Sequence, residues 1–136
     1  MSTTLVPYLN FDGTCAEAMR FYADIFGGEP EIMRFADSPM PAPPGAEQRT
    51  IHASLRAGQV VILASDTLPG MALPVVGNAH LSLGFSDAAE QDRVWERLIE
   101  GGDVMMPMAQ QFWGRFGGVV DRFGVSWMLS LDAPRG

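Results

Sequence analysis

QQFWGRFGGVVDRFGVSWMLSL, residues 110–131, decides the fold. Alternation on either side of an Asp-Arg-Phe-Gly turn at residues 121–124, followed by the apolar run 125–131, reads as a hairpin that closes a sheet. Ahead of the hairpin, Phe112, Trp113 and Phe116 stand in a Gly-rich loop too apolar to be only solvated. Such aromatics either plug a core or wall a ligand cavity, and both uses need a hollow beside them.

Working outward, the hairpin ends a unit that occurs twice. Residues 79–85 alternate as a strand, Asp87 and Glu90 supply a helix cap, and Val94, Trp95, Leu98 and Ile99 share a helix face that Gly101 and Gly102 end. In the first half, LVPYLNF at 5–11 reads as a strand with Pro7 marking an irregular edge. Thr14 and Glu17 have capping-box spacing. Cys15, Met19, Tyr22 and Phe26 recur at helical steps, so 15–26 is an amphipathic helix stopped by Gly27 and Gly28.

Residues 31–35 then form a short strand, and Pro39, Pro41, Pro43, Pro44 and Gly45 make 36–48 a surface loop. Runs 50–55 and 59–65 are strands about an Ala57-Gly58 turn. A shift of 74 residues lays Phe11 on Phe85, Phe21 on Trp95 and Gly27-Gly28 on Gly101-Gly102. The order strand, helix, three strands therefore appears twice in one domain, residues 1–136. Module one covers about 5–66, a Pro/Gly-rich connector 67–77, and module two 78–132.

Bulk properties narrow the function. A chain of 136 residues, 47% hydrophobic and 18% charged, has the composition of one ordered domain with a real core. A net charge of −7 argues against nucleic acid or an anionic membrane as partner. No signal peptide or membrane span is read at the N-terminus, and the single Cys15 fits a small buried residue in a reducing cytoplasm.

The strand faces can be assigned. Leu81, Leu83 and Phe85 form an apolar face for the helix, leaving His80, Ser82 and Gly84 on the other. The same shift places Val6, Tyr8 and Asn10 on that second face, and His52 and Ser54 alternate with Ile51, Ala53 and Leu55 in the same sense. One sheet face is thus apolar, while the other carries Tyr, Asn, Ser and both histidines. Turned inward by sheet curvature it makes a pocket; turned outward it is a wet surface.

The doubled unit, the PYLNFDGTCAEAMRFYADIFGG opening, the IHASLRAGQVVILASD middle and the FWGRFGGVVDRFGVSWML close resemble the PhnB-like branch of the vicinal oxygen chelate superfamily. That superfamily includes glyoxalase I, bleomycin-resistance proteins and extradiol dioxygenases. The resemblance covers nearly the whole chain. It implies an α+β fold of two βαβββ modules whose curved mixed sheets enclose a cavity, commonly in a homodimer, and so turns the polar face inward. It also implies four metal-ligand places, at Val6 or Pro7, Ile62 or Leu63, His80 and Met128, of which only His80 offers a credible donor. His52 is the one other candidate ligand, and no carboxylate completes a set, so the residues argue against a divalent metal site. Proteins similar to this branch are sometimes labelled 3-demethylubiquinone methyltransferases. A nucleoside-type cofactor needs a Gly-rich turn from strand to helix, whereas the Gly pairs here follow helices, and no cofactor is expected.

The candidate pocket comprises Tyr8, Asn10, His52 and Ser54 from module one and His80, Ser82, Trp113, Phe116 and Met128 from module two. His80 and His52 are the acid/base candidates if there is catalysis. Arg115 and Arg122 could fix an anion or pair with the many carboxylates. Phe112 and Trp127 would add aromatic wall, with Met105, Met106 and Met108 as adaptable filling. The expected function is a metal-free protein that binds a neutral or hydrophobic small molecule. The competing reading is a lyase, isomerase or dioxygenase whose ion is held by His80 in a non-standard set.

Overall fold

A computed structural model describes residues 3–73 and 78–132. The chain divides into two compact units, Met1–Val75 and Val76–Gly136. In the first, β1 (Tyr8–Phe11), α1 (Cys15–Phe26), β2 (Glu31–Arg34), β3 (Thr50–Ala57) and β4 (Val60–Asp66) form a sheet in the order β1-β4-β3-β2. In the second, β5 (Leu81–Phe85), α2 (Ala88–Leu98), β6 (Asp103–Gln111), β7 (Gly114–Val120) and β8 (Ser126–Asp132) repeat it as β5-β8-β7-β6. The first strand of each unit pairs in parallel with the last, and the other pairings are antiparallel. Two helices and two four-stranded mixed sheets make the expected α+β architecture.

In unit one the α1 face Cys15, Ala18, Met19, Tyr22 and Ile25 is buried, and it packs on β3 and β4, where Ala53, Leu55, Ile62 and Ala64 are buried at alternate positions. The Thr14 side chain makes no cap hydrogen bond, so the expected capping box is not formed. Asp66, at the end of β4, takes its place. Its buried carboxylate accepts from the backbone N–H groups of Gly13 and Cys15 at 2.9 Å and of Thr50 at 2.9 Å, tying the helix start to two strands. Cys15 lies beneath this knot. Burial first, and then the Asp66 charge, push its thiol up to about 12, against a small opposing contribution from a Thr50 hydrogen bond.

Unit two has its own carboxylate knot in the closing hairpin. Gly124, at φ 87°, turns the chain, and its N–H donates to the Asp121 carbonyl. The buried Asp121 carboxylate accepts from Phe123 N–H, Val125 N–H and the indole N–H of Trp127 at 2.9, 3.1 and 2.8 Å. Here α2 is capped as expected, Asp87 accepting from Glu90 N–H at 3.1 Å.

Several boundaries differ from the expectations. Residues 110–116 are not a loop: Gln110 and Gln111 end β6, Phe112 and Trp113 form the tip of a further hairpin, and β7 carries Phe116. Cross-strand pairing to a well-formed β7 overrides the aromatic, Gly-rich composition that suggested irregularity. β1 begins only at Tyr8, His80 lies just before β5, and Ala57 stays in β3. An irregularity in the β2–β3 pairing, Met33 opposite His52 but Arg34 opposite Thr50, breaks the expected alternation at Ile51. The 36–48 loop is zipped at its base by backbone hydrogen bonds from Ala36 to Glu47 and Phe35 to Arg49, and Ala46 is buried. Residues 74–77 of the expected connector lie outside the described residues.

Adjacent glycines on β7 have opposite surroundings. A Cβ at Gly117 would lie 3.0 Å from the Trp95 ring of α2 and 3.1 Å from the Met108 methyl, whereas one at Gly118 would meet nothing closer than 3.8 Å. Gly117→Ala is therefore expected to cost about 1–3 kcal/mol and Gly118→Ala no more than about 0.5 kcal/mol, read from urea unfolding midpoints. Equal midpoints for the two variants would contradict this packing. Cys15 gives a second check. Because the fold holds the thiol neutral, its contribution to stability is complete below the ordinary value of 9.0 and is lost as pH rises towards about 12. At pH 8 Cys15 should resist a disulfide reagent in the folded chain and react fully in denaturant. Rapid labelling of the folded protein would contradict its burial.

Candidate functional site

Among the described residues, a hollow suited to a ligand lies on the sheet face of unit two away from α2. Strand alternation sends Leu81, Trp127, Val119 and Gly117 to the helix side and Ser82, Met128 and Gly118 to the other. Register then aligns Ser82, Met128, Gly118 and Met106 in one row across β5, β8, β7 and β6. Gly118 brings no side chain to the middle of this row, so the strand backbone forms a floor between the walls of Met106, Met128 and Phe116. The resulting cavity is about 420 Å³. His80, Ser126, Met105 and Gly124 complete much of its rim.

Side-chain polarity in this hollow is confined to one place. His80 Nδ1 and Ser126 Oγ are 2.5 Å apart. The remaining lining side chains are aliphatic, thioether or aromatic, and the Trp127 indole N–H is held by Asp121 on the helix side. The arrangement can bury an apolar body and offer it a single hydrogen-bonding group.

The other expected site residues are distributed differently. His52 and Ser54 line a hollow of about 340 Å³ on the unit-one sheet, with Glu31, Met33, Arg56 and Leu63. Tyr8 accompanies His52, their ring centroids 6.3 Å apart. Asn10 borders a third hollow beside Phe35 and Met71, and its Oδ1 accepts weakly from Ser65 at 3.4 Å. Ser82 shares the sheet face with Met128 but is exposed and does not line the unit-two cavity. Trp113 is at the hairpin tip, edge-on to Phe112 and to Phe116, and Phe112 is 92% exposed. Thus His80, Phe116 and Met128 share one hollow, while His52 and Ser54 belong to another.

Arg115 is not an anion anchor. Its guanidinium donates to Gln91 and to Asp92 of α2 at 2.9 and 2.6 Å, and Gln91, fully buried, donates back to the Arg115 carbonyl at 2.9 Å. This ring of bonds clamps α2 onto β7. The Arg122 guanidinium lies 5.5 Å from the Phe123 ring centroid, against the closing turn. Residues missed from the sequence are Ser126, as the partner of His80, and Gly118, as the floor. The Gly-Gly step in β7 was the only signal for the second, and the turn-to-strand junction hid the first.

The donor set around His80 can be tested against a divalent ion. Its immediate polar neighbour is a hydroxyl, the other lining donors are thioethers, and the remaining ligand places implied by the resemblance hold Val6 or Pro7, Ile62 or Leu63, and Met128. Among the described residues no group of three or more His, Cys, Asp or Glu side chains converges. A hard or borderline ion needs several N or O donors, so these residues do not fit one.

Comparison with known proteins agrees with this architecture. Residues 3–130 match the family model described as 3-demethylubiquinone-9 3-methyltransferase. Protein YjdN of Escherichia coli is 30% identical over 139 aligned positions, covering 93% of this chain and 94% of its own. The crystal structure of PA1353 from Pseudomonas aeruginosa is 39% identical, with a TM-score of 0.87 over 96% of this chain and 98% of that one. A Bacillus cereus PhnB protein bearing the same methyltransferase description is 26% identical, with a TM-score of 0.78 over 95% and 99% of the two chains. At 17% identity and a TM-score of 0.64, a glyoxylase/bleomycin resistance protein/dioxygenase domain from Frankia, matched over 98% and 99% of the two chains, shares the fold. A doubled βαβββ unit, a family match spanning nearly the whole chain and a PhnB relative of the same shape together mean that this chain belongs to the PhnB-like family, the one whose model is described as 3-demethylubiquinone-9 3-methyltransferase.

Proposed function

We propose that this protein binds a small, predominantly apolar, uncharged molecule in the unit-two hollow without a metal ion. The observation that carries the reading is the lining: a glycine floor and thioether and aromatic walls, with side-chain polarity confined to His80 and Ser126. Such a surface desolvates an apolar ligand at little cost and offers a formal charge no fixed counter-ion. A volume of about 420 Å³ lies in the range of small-molecule sites.

Methyl transfer is not part of the proposal, although the family description names it. A nucleoside cofactor's anionic or carboxylate group is commonly held by free N–H groups at a helix start. Here the Gly13 and Cys15 N–H groups at α1 are bonded to Asp66, and Glu90 N–H at α2 to Asp87. The net charge of −7 supports a partner other than nucleic acid, and no described helix is long and apolar enough to cross a membrane. A homodimer, on the family resemblance, in a reducing cytoplasm, on the single Cys15, is the proposed setting.

The test uses N-phenyl-1-naphthylamine, a neutral dye that brightens in apolar sites. Saturable binding is expected, weakened about tenfold or more in Gly118→Leu, whose side chain would fill the floor while the urea midpoint reports that the fold is retained. Undiminished dye binding by a folded Gly118→Leu variant would exclude this hollow as the site.

A further inference from the structure

We infer that the ligand of this hollow carries one hydrogen-bond-accepting oxygen, of the ketone, aldehyde or ester class, read by His80 Nε2 in a tautomer fixed by Ser126. This rests on the proposed apolar site and deepens it. The His80 ring presents Nδ1 to Ser126 Oγ at 2.5 Å. Ser126 makes no other side-chain hydrogen bond among the described residues, and in the proposed arrangement its hydroxyl donates to Nδ1. A neutral imidazole that accepts at Nδ1 carries its proton on Nε2. Nε2 has no protein partner among the described residues, and His80 lines the hollow.

The site therefore presents one donor against an apolar wall. A hydrocarbon seated against His80 would displace water from this N–H without replacing its hydrogen bond, whereas a carbonyl oxygen would replace it. A site built to meet one polar group discriminates against the ligand that lacks it. Ser126 is a positioning residue in this scheme, acting on the ligand only through the ring of His80.

The experiment compares 2-acetylnaphthalene with 2-ethylnaphthalene, two probes of nearly equal size that differ in the carbonyl, by displacement of the dye. The folded protein should prefer the ketone by about tenfold. His80→Phe, at an exposed position, should bind both probes equally. Ser126→Ala should reduce the preference, and nitrogen-15 imidazole shifts should show His80 leaving the single Nε2–H tautomer. If neither probe displaces the dye or binds on its own, the apolar-site reading and this inference fall together. If both bind the native protein equally, or the ketone preference survives His80→Phe, the site stands and the carbonyl-reading role of His80 is overturned. An imidazole spectrum unchanged by Ser126→Ala overturns the role given to Ser126.

Discussion

The edge of Trp95 rests against the bare α-carbon of Gly117, and the organisation of unit two depends on that contact. No larger residue at Gly117 leaves the indole its place, since even a Cβ there would come within 3.0 Å of the ring. Trp95 can then pack closely against β7, and Gln91 and Asp92, one helical turn earlier, come within reach of Arg115. Strand pleating does the rest. If position 117 faces the helix, position 118 faces away, and a second glycine there opens a floor on the opposite side of the same strand. One dipeptide thus sets the helix seat and the candidate ligand site.

Both units also fasten their turns with a buried carboxylate. Asp66 gathers N–H groups from a loop, a helix start and a neighbouring strand, and Asp121 gathers two from its own turn and the indole of Trp127. A charge away from water is tolerable only when hydrogen bonds replace its hydration, and each carboxylate has three such donors. The consequence reaches the site in unit two. By holding Trp127 on the helix side, Asp121 fixes the phase of β8, so that Ser126 and Met128 face the hollow.

Much of the fold was legible because its signals are local and periodic. The helix of residues 15–26, the Asp87 cap and the Asp121–Gly124 turn follow from spacing that a short window contains, and the 74-residue repeat from laying two such stretches over each other. What escaped was set by distant partners. The α1 cap came from Asp66, more than fifty residues away in sequence, and displaced the nearby Thr14. The aromatic hairpin tip looked like a loop because β6, broken by Pro107 and by register shifts, gives little alternation. For the candidate site, His80 and Met128 were readable from strand face and resemblance, and Phe116 from its aromatic neighbours. The Ser126 partner was not, because it needs the β8 register as well as the path of the chain ahead of β5.

The central claim is that an apolar molecule occupies the hollow floored by Gly118, and methionine methyl NMR tests it most directly. The chain has nine methionines, and they mark different surroundings: Met106 and Met128 wall the hollow, Met19 is on the buried face of α1, and Met33 lines the unit-one hollow. With carbon-13 methyl labels, titration with 2-acetylnaphthalene should move Met106 and Met128 in a saturable way and leave Met19 and Met33 in place. Shifts confined to Met33, or none at Met106 and Met128, would contradict the account.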